Sequence, residues 1–385
     1  MNPADISTSL HRLRKYVEGE KFRGYDPFDA LTSPMLRALS LSRKYIRIAM
    51  IQGMRRLPAN IRPFLSIQKG LNPKGIGLFL WGYAKLYRVE RKVEYLETME
   101  SLLNLLRRLR SRGYSGNCWG YNFDWQSRAF YIARHTPTLV NSSFIGHALI
   151  DAYRYARQEK ALEMAVSIKE FILKDLNRRE EDGTICFSYT PVDNTAVHNA
   201  NLLGASLLIR LYGYTGEERL KEAALASLEY SIKHQRDDGS WYYAESKSQR
   251  WIDSFHTGFN LMCILYFLEQ GFGDVHRHSF ERGVSFYSEN FFLEDGRAKY
   301  YHDRLYPIDI HSLAQAVVFF SRMGEGYREL TEKITRWMIL HMQDGRGFFY
   351  FQRRRLYTVR IPYIRWAQAW AFHALTEYLL NQASG

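Results

Sequence analysis

Apolar positions recur with the helical period along most of the chain, and the resulting segments come in pairs. One member of each pair is rich in Glu, Lys and Ala, whereas the other is apolar nearly all round. This contrast is typical of outer helices that face solvent and inner helices that are buried in a ring. The predicted helices cover residues 33–52, 76–88, 92–112, 139–157, 160–176, 195–212, 217–234, 254–270, 276–291, 308–323, 327–342 and 363–381.

Four Asp-Gly turns punctuate these pairs at near-even steps of 56, 57 and 49 residues: Asp182-Gly183, Asp238-Gly239, Asp295-Gly296 and Asp344-Gly345. Self-similarity at such a period indicates a repeat architecture. Aromatic stretches such as Trp241-Tyr242-Tyr243 follow the turns and favour small hairpins. We therefore predict an all-α fold, an (α/α) toroid of repeated helix pairs, incomplete or complete, with short β-hairpin loops on one face.

The chain divides into an N-terminal helical and basic connecting segment, residues 1–75, packed on a toroid formed by residues 76–385. The stretch before residue 76 is broken by Pro58, Pro63 and Pro73. It could be a basic flap over the cleft, a membrane-surface patch or a solvated connection. A membrane role predicts one flat face for its basic residues, which are Arg55, Arg56, Arg62, Lys69 and Lys74.

The net charge of +13 favours polyanionic partners such as nucleic acid, anionic membrane or acidic polysaccharide. No nucleic-acid motif is present, so we expect no nucleic-acid partner. The positive charge is spread along the chain, with local exceptions at residues 41–76 and 353–355. The aromatic content of 15% suits either sugar stacking or the filling of a wide core.

Three cysteines without a CxxC pair fit a reducing compartment. The first residues lack the apolar core of a signal peptide, and no run approaches a membrane span. We expect a cytoplasmic protein. Peripheral contact with the inner membrane through residues 41–76 stays an alternative.

The strongest candidate chemistry lies at the start of the helix predicted over 254–270. Asp253, His256 and Asn260 would share one helix face, directly after Trp251. A buried carboxylate and imidazole are costly unless they are paired or used, and together they suit proton transfer. The alternative is a helix-capping Asp that bonds a structural His.

Four further inner-helix starts carry polar residues, and their convergence would form a polar central cleft. The residues concerned are Asn141; His198 with Asn199; Tyr306, Asp309 and His311; and Tyr363, Arg365 and Trp366. Arg365 could bind a carboxylate beside the Trp366 ring, or cap a neighbouring helix. Tyr306 and Tyr363 could act as acids or bases if a cation lowers their pKa, or simply bond a backbone carbonyl.

The aromatic stretch at residues 118–128 has no helical period and is predicted to reach over the cleft, unless it is a packed loop. It offers Trp119 and Tyr121 for sugar stacking and Asp124 and Arg128 for hydroxyls or a carboxylate. Trp241 is a further candidate at the rim. No metal, phosphate-loop or nucleophile-elbow motif occurs, so we expect neither a metal nor a cofactor.

The Asp-Gly turns, aromatic loops and polar helix starts resemble those of α/α-toroid carbohydrate-active proteins over roughly residues 76–381. These include the helical domain of uronyl C5-epimerases, toroidal polysaccharide lyases and unsaturated glucuronyl hydrolases. The opening stretch, with Gly24-Tyr25-Asp26-Pro27 and Asn72-Pro73-Lys74-Gly75, resembles a group associated with surface-polysaccharide clusters.

The resemblance implies Tyr and His residues that remove or return the C5 proton of a uronate while Arg or Asn neutralises the carboxylate. Residues of matching type are His256, His311, Tyr306, Tyr363 and Arg365. The leading hypothesis is therefore an epimerase or lyase of polysaccharide biosynthesis that acts on an acidic glycan or its precursor, beside the synthesis machinery. The alternatives are a glycoside hydrolase using Asp253 and Asp309, and a non-catalytic glycan-binding or assembly protein.

Overall fold

Six inner helices form a closed ring in the computed structural model, which describes residues 3–383. Each inner helix contacts the next, and the last contacts the first. The predicted (α/α) toroid is confirmed, and the ring is complete. In chain order the helices are α1 (Pro3–Gly19), α2 (Pro34–Leu39), α3 (Lys44–Arg56), α4 (Pro73–Glu90), α5 (Val93–Leu109), α6 (Leu139–Ala156), α7 (Glu159–Glu170), α8 (His198–Thr215), α9 (Glu218–Lys233), α10 (Ser254–Glu269), α11 (Arg277–Phe291), α12 (Ile310–Met323), α13 (Arg328–Met342) and α14 (Trp370–Gln382).

The inner helices are α4, α6, α8, α10, α12 and α14, and each packs against one outer helix. The first five outer helices, α5, α7, α9, α11 and α13, follow their inner partners in the chain. The sixth position is filled by α1, which packs on α14. Ile6, Leu10, Leu13 and Val17 of α1 are buried in the same apolar core as the ring.

Glycines are required in three of the turns, because each of these turns lies against the backbone of the next outer helix. Gly239, Gly296 and Gly347 all have positive φ, between 87° and 101°. A Cβ atom added at any of these glycines would lie 2.3–2.4 Å from a backbone carbonyl oxygen of the next outer helix. The oxygens belong, in the same order, to Arg282 in α11, Lys333 in α13 and Arg12 in α1. In the fourth turn Gly347 takes this position, and not the predicted Gly345, because the tight turn closes from Asp344 to Gly347.

Short antiparallel hairpins are attached to the ring, as predicted, but Trp241, Tyr242 and Tyr243 lie in none of the strands. The strands are β1 (Trp125–Gln126) with β2 (Tyr131–Ile132), β3 (Arg178–Glu181) with β4 (Thr184–Phe187), and β5 (Ile308–Asp309), β6 (Gln352–Arg353) and β7 (Thr358–Val359). The third sheet joins the start of α12 to the loop after α13, because β5 pairs with β6.

The segment before α4 differs from its prediction. The helix predicted over 33–52 is broken into α2 and α3, because Leu41 and Ser42 adopt left-handed backbone conformations. Arg62 is buried and pairs with Asp29 at 2.8 Å. Lys74 is also buried, so the five basic residues of this stretch do not share one exposed face. In the described chain, no helix combines the length and the apolar character needed to span a bilayer.

Candidate active site

A cavity of about 390 Å³ lies where the inner helices begin, covered in part by α3. That volume is within the usual range of about 300–1,000 Å³ for small-molecule sites. Nine of the residues that the sequence singles out line it: Tyr121, Arg128, Asn199, Trp251, Asp253, His256, His311, Arg365 and Trp366.

Asp253 both starts α10 and orients His256. Its carboxylate accepts the backbone N–H of His256 at 3.0 Å, which caps the helix. The other carboxylate oxygen lies 2.7 Å from Nδ1 of the same imidazole and accepts the Trp251 indole N–H at 2.9 Å. An imidazole that donates through Nδ1 keeps Nε2 for another partner. Asp253 is buried while His256 is partly exposed, so this ring is an oriented proton donor or acceptor at the cavity wall.

His311 is held quite differently. It is buried, and neither ring nitrogen has a hydrogen-bond partner among the described residues. The rings of Phe255, Trp366 and Trp370 lie 4.5–4.7 Å from it. Burial lowers the pKa of His311 well below its usual value, and the nearby charges of Lys74 and Arg365 lower it further. The imidazole is therefore neutral at neutral pH.

The two histidines share the same aromatic neighbours. Phe255 lies 4.2 Å from the His256 ring and 4.7 Å from the His311 ring, measured between centroids. Phe259 lies 6.0 Å and 5.7 Å from them. Both imidazoles therefore contact one small group of rings in a single cavity, one supported by a carboxylate and the other neutral.

The lining is strongly basic. Its charged members are one carboxylate, Asp253, and six basic side chains, which are Arg55, Arg56, Lys74, Arg128, Arg354 and Arg365. Arg365 is already neutralised, because it binds Asp26 with two hydrogen bonds of 2.6 and 2.8 Å. This ion pair replaces the helix-capping role that the sequence left open for it.

Lys74 is the basic residue that sequence reasoning missed beside the histidines. Its ammonium nitrogen lies 4.0 Å from the centre of the Phe144 ring and 5.5 Å from that of Phe259. Burial lowers its pKa well below the usual value, and the charge of Arg365 acts in the same direction. No carboxylate of the described residues lies within 4 Å, so Lys74 can respond to an anionic ligand. Its only sequence signal is the basic run before α4.

Aromatic surfaces complete the walls. Trp251 stacks on Tyr243 with a centroid separation of 4.5 Å and an interplanar angle of 11°. The Arg128 guanidinium lies 5.5 Å from the Trp251 ring. Tyr243 and Tyr300 also line the cavity but were not singled out, because aromatic residues are too frequent in this chain to be distinctive.

Several predicted residues lie outside the cavity lining. Tyr363 is buried, with its ring centre 4.7 Å from the Arg62 guanidinium, and burial raises the pKa of its hydroxyl. Tyr306 is 37% exposed and lies on the surface. Asn260 and Trp241 line a separate, very small space behind Trp251.

Others serve the packing of the ring. The indole N–H groups of Trp119 and Trp241 each donate to a backbone carbonyl at 2.8 Å. His198 lies 2.7 Å from Glu245, and Asp124 accepts the backbone N–H of Arg134 at 2.8 Å. Asn141 is buried without a hydrogen-bond partner for its amide among the described residues.

A metal centre would need converging donors. Within residues 3–383, no three or more His, Cys, Asp or Glu side chains are grouped so that they could hold a metal ion.

Comparisons with known proteins establish the fold. No protein-family model and no curated protein matches the chain. Among solved structures, a cellobiose 2-epimerase from Bacillus thermoamylovorans B4167 superposes with a TM-score of 0.63 at 14% identity, covering 82% of this chain and 90% of that one. A family 88 glycosyl hydrolase from Bacteroides vulgatus gives 0.58 at 9%, with 84% and 95% covered. A polysaccharide lyase gives 0.60 at 10%, with 100% and 98% covered. The resemblance to α/α-toroid carbohydrate-active proteins is thus confirmed at the level of the fold.

Proposed function

We propose that this protein is a sugar-modifying enzyme that epimerises an acidic sugar by proton transfer at the carbon next to its carboxylate or carbonyl group. The observation that carries this proposal is the presence of two unlike histidines in one cavity. His256 is held by a carboxylate, whereas His311 is neutral and has no partner within the described chain.

The two environments assign complementary roles. Neutral His311 accepts the proton from the sugar carbon, because its ring nitrogens are free to do so. His256, whose Nδ1 lies 2.7 Å from the Asp253 carboxylate, supplies a proton to the other face of the carbon. The roles exchange in the reverse direction. Unlike environments are a general way to obtain one acid and one base from two like side chains.

The basic lining supports an acidic substrate such as a uronate. Removing a proton beside a carboxylate builds up negative charge on its oxygens, and a nearby cation stabilises that charge. Lys74 is suited to this, since it lies beside Phe259, which both histidines contact. A carboxylate at this point would also restore the ammonium charge that burial disfavours.

The fold supports the substrate class only by analogy. The toroids that superpose on this chain include an epimerase, a glycosyl hydrolase and a lyase, so sugar chemistry is common on this scaffold. A place in polysaccharide biosynthesis, beside the synthesis machinery, is part of this proposal and rests on the resemblance of the opening stretch.

The geometry gives a hydrolase less support. A glycoside hydrolase needs two carboxylates that face the substrate. Asp309 does not line the cavity, and its carboxylate accepts hydrogen bonds from Gln352 at 2.5 Å and Trp366 at 2.9 Å. A lyase would use the same proton acceptor but would release an unsaturated sugar, which is recognised by its ultraviolet absorbance.

The test is deuterium uptake from D₂O, followed by NMR, with a panel of uronate glycans and neutral sugars. We expect uptake at the C5 position of a uronate with the wild-type protein and its loss in His256→Ala. His341→Ala, which removes an exposed histidine of α13, is the matched control. Deuterium uptake only at C2 of neutral sugars would contradict the proposal that the substrate is acidic. No uptake with any sugar would contradict the proposal that the protein is an epimerase.

A further inference from the structure

The two basic stretches that stand out in the sequence meet at one edge of the cavity. Arg55 and Arg56 end α3, and Arg354 follows β6 in the hairpin that β7 completes. The hydroxyl of Tyr357 in this hairpin donates to the backbone carbonyl of Arg56 at 2.9 Å. The three guanidinium groups line the cavity together, and we call them the arginine cluster.

None of the three arginines has a carboxylate within 4 Å among the described residues. Arg55 donates to the Tyr300 hydroxyl at 3.3 Å, and Arg354 donates to the Gln352 side chain at 2.8 Å. The Nε atoms of Arg55 and Arg354 are buried and have no hydrogen-bond partner within residues 3–383. Two buried charge-bearing N–H groups are therefore left without acceptors, which is costly.

Two buried arginines elsewhere in the molecule are compensated by carboxylates. Arg62 pairs with Asp29 at 2.8 Å, and Arg365 binds Asp26 through two hydrogen bonds. At the arginine cluster no carboxylate is in contact, although the charge of Asp309 acts on Arg55 and Arg354 from beyond 4 Å. Burial lowers the pKa of Arg354, and the charges of Arg55 and Arg56 lower it further. Three cations that share one more distant carboxylate indicate that an anion completes the site.

We propose that the arginine cluster binds a phosphate group of the substrate, so that the enzyme acts on a phosphorylated or diphosphate-linked acidic sugar. A phosphate group offers two negative charges and several acceptor oxygens, which suits three guanidinium groups better than one carboxylate does. The carboxylate has its own partner in Lys74, beside the histidines. This inference rests on the proposed function for the identity of the sugar, although anion binding can be measured without it.

The position of the cluster fits a substituent near the reacting carbon. Trp366 lies 4.5 Å from the His311 ring and 5.7 Å from the Arg55 guanidinium, so one indole contacts both sites. A sugar that packs on this indole could present its proton to His311 and its phosphate to the cluster. Phe28 and Phe351 lie 5.2 and 5.6 Å from the same guanidinium and keep it oriented.

The first experiment measures binding by calorimetry at low ionic strength, with inorganic phosphate and pyrophosphate as probes. We expect Arg354→Gln to weaken binding of both by roughly tenfold or more, because a charge-assisted hydrogen bond is lost. The matched control is Arg355→Gln, which removes the same charge from an exposed neighbour in the hairpin and should change the affinity less than twofold. Thermal melting verifies that each variant folds, and Arg56→Gln replaces Arg354→Gln if the latter does not.

Equal binding by wild type and Arg354→Gln, or no binding by wild type, would overturn the inference. The second experiment compares deuterium exchange on glucuronic acid, its 1-phosphate and a prenyl-linked 1-diphosphate. We expect KM to be at least tenfold lower for one phosphorylated form, and Arg354→Gln to abolish that advantage. Whichever form has the lower KM identifies the source of the phosphate.

The two proposals fail in different ways. If phosphate binding depends on Arg354 but no sugar exchanges its proton, the proposed function is wrong while the anion site is supported. If exchange is equally efficient with all three sugars and phosphate binding does not depend on Arg354, the anion site is wrong while the proposed function is supported.

Discussion

Basic side chains lie at both ends of the ring, but several form ion pairs at one end and most lack a carboxylate partner at the other. Where the inner helices end, at what we call the paired end, a cleft of about 800 Å³ is lined by several charged side chains that form ion pairs. Arg210 pairs with Asp151, Arg322 with Glu269, and the neighbouring Lys85 with Glu377. Where the inner helices begin, Lys74 and the arginine cluster have no carboxylate within 4 Å among the described residues.

The histidines show the same contrast. At the paired end, the ring nitrogens of His147 lie 2.9 Å from Arg210 and 3.1 Å from Ser206, and His373 lies 3.0 Å from Lys85. At the cavity end, His311 has no partner in the described chain. Burial lowers the pKa at all three histidines. A perturbed pKa alone therefore does not distinguish the two ends of this ring, whereas the lack of a hydrogen-bond partner at His311 does.

The largest expected effect tests the cavity end. His256→Ala should lower the rate of proton exchange by roughly 10²–10⁴-fold, because a positioned acid or base is lost. Its free energy of unfolding should change little, since the side chain is partly exposed. Steady-state exchange and urea unfolding measure the two quantities, with His341→Ala as control. If His256→Ala exchanged the sugar proton at the wild-type rate, the cavity end would differ from the paired end in structure only.

The paired end should respond in the opposite way. Asp151→Ala removes the partner of Arg210 and of the Trp81 indole, which donates to this carboxylate at 2.5 Å. Leaving a buried guanidinium unpaired should lower the free energy of unfolding by about 3–5 kcal/mol. Exchange per folded molecule should be unchanged. A loss of exchange without a loss of stability in urea unfolding would contradict a purely structural role for this end.

The turns at the two ends differ in how closely they pack. Gly239→Ala at the cavity end should cost about 2–3 kcal/mol, because the added Cβ would lie 2.3 Å from a carbonyl oxygen of α11. Gly216→Ala at the paired end should cost only about 1 kcal/mol, since its φ of +68° is strained but no atom lies within 4 Å. Thermal or urea unfolding of the two variants decides this, and equal losses would contradict tight turn packing.

The smallest effect is a pH dependence that both ends should share. The folded-state pKa values of His311 and His373 are lowered, so below a pH of about 6.5 the unfolded chain takes up protons that the folded chain does not. The free energy of unfolding should fall there by up to about 1.4 kcal/mol per pH unit for each such histidine. His311→Gln and His373→Gln should each reduce this slope. If only one of the two variants reduced the pH dependence of the free energy of unfolding, the histidines at the two ends would differ in protonation as well.

Local patterns predicted the ring well. The helix pairs follow from the spacing of apolar residues, and a capping role for Asp253 was one of the predicted alternatives because capping depends on residues three apart. The gathering of polar helix starts then follows from ring geometry, and it brings Asp253, His256 and His311 to one cavity.

The partners across the cavity were not predictable in this way. Arg365 was predicted either to bind a substrate carboxylate or to cap a neighbouring helix, but Asp26 binds it from more than 300 residues away in the sequence. Lys74 and Arg55 were seen only as part of a basic stretch, because the fold of that stretch depends on tertiary contacts with the ring. Tyr363 was a candidate because its hydroxyl could act as an acid or base. Its ring lies against the Arg62 guanidinium and is not part of the cavity lining.

The closure of the ring has a consequence for how the protein is made. The inner helix α4 contacts α14, and α14 also receives α1, so helices from the two ends of the ring sequence meet at a single seam. During translation, the apolar flank of α4 stays uncovered until α14 is made, because α14 follows the other helices of the ring in the chain. Until then the nascent chain is an open stack of helix pairs with an unprotected side. A chaperone that shields this side during synthesis would act on α4 and α1 first.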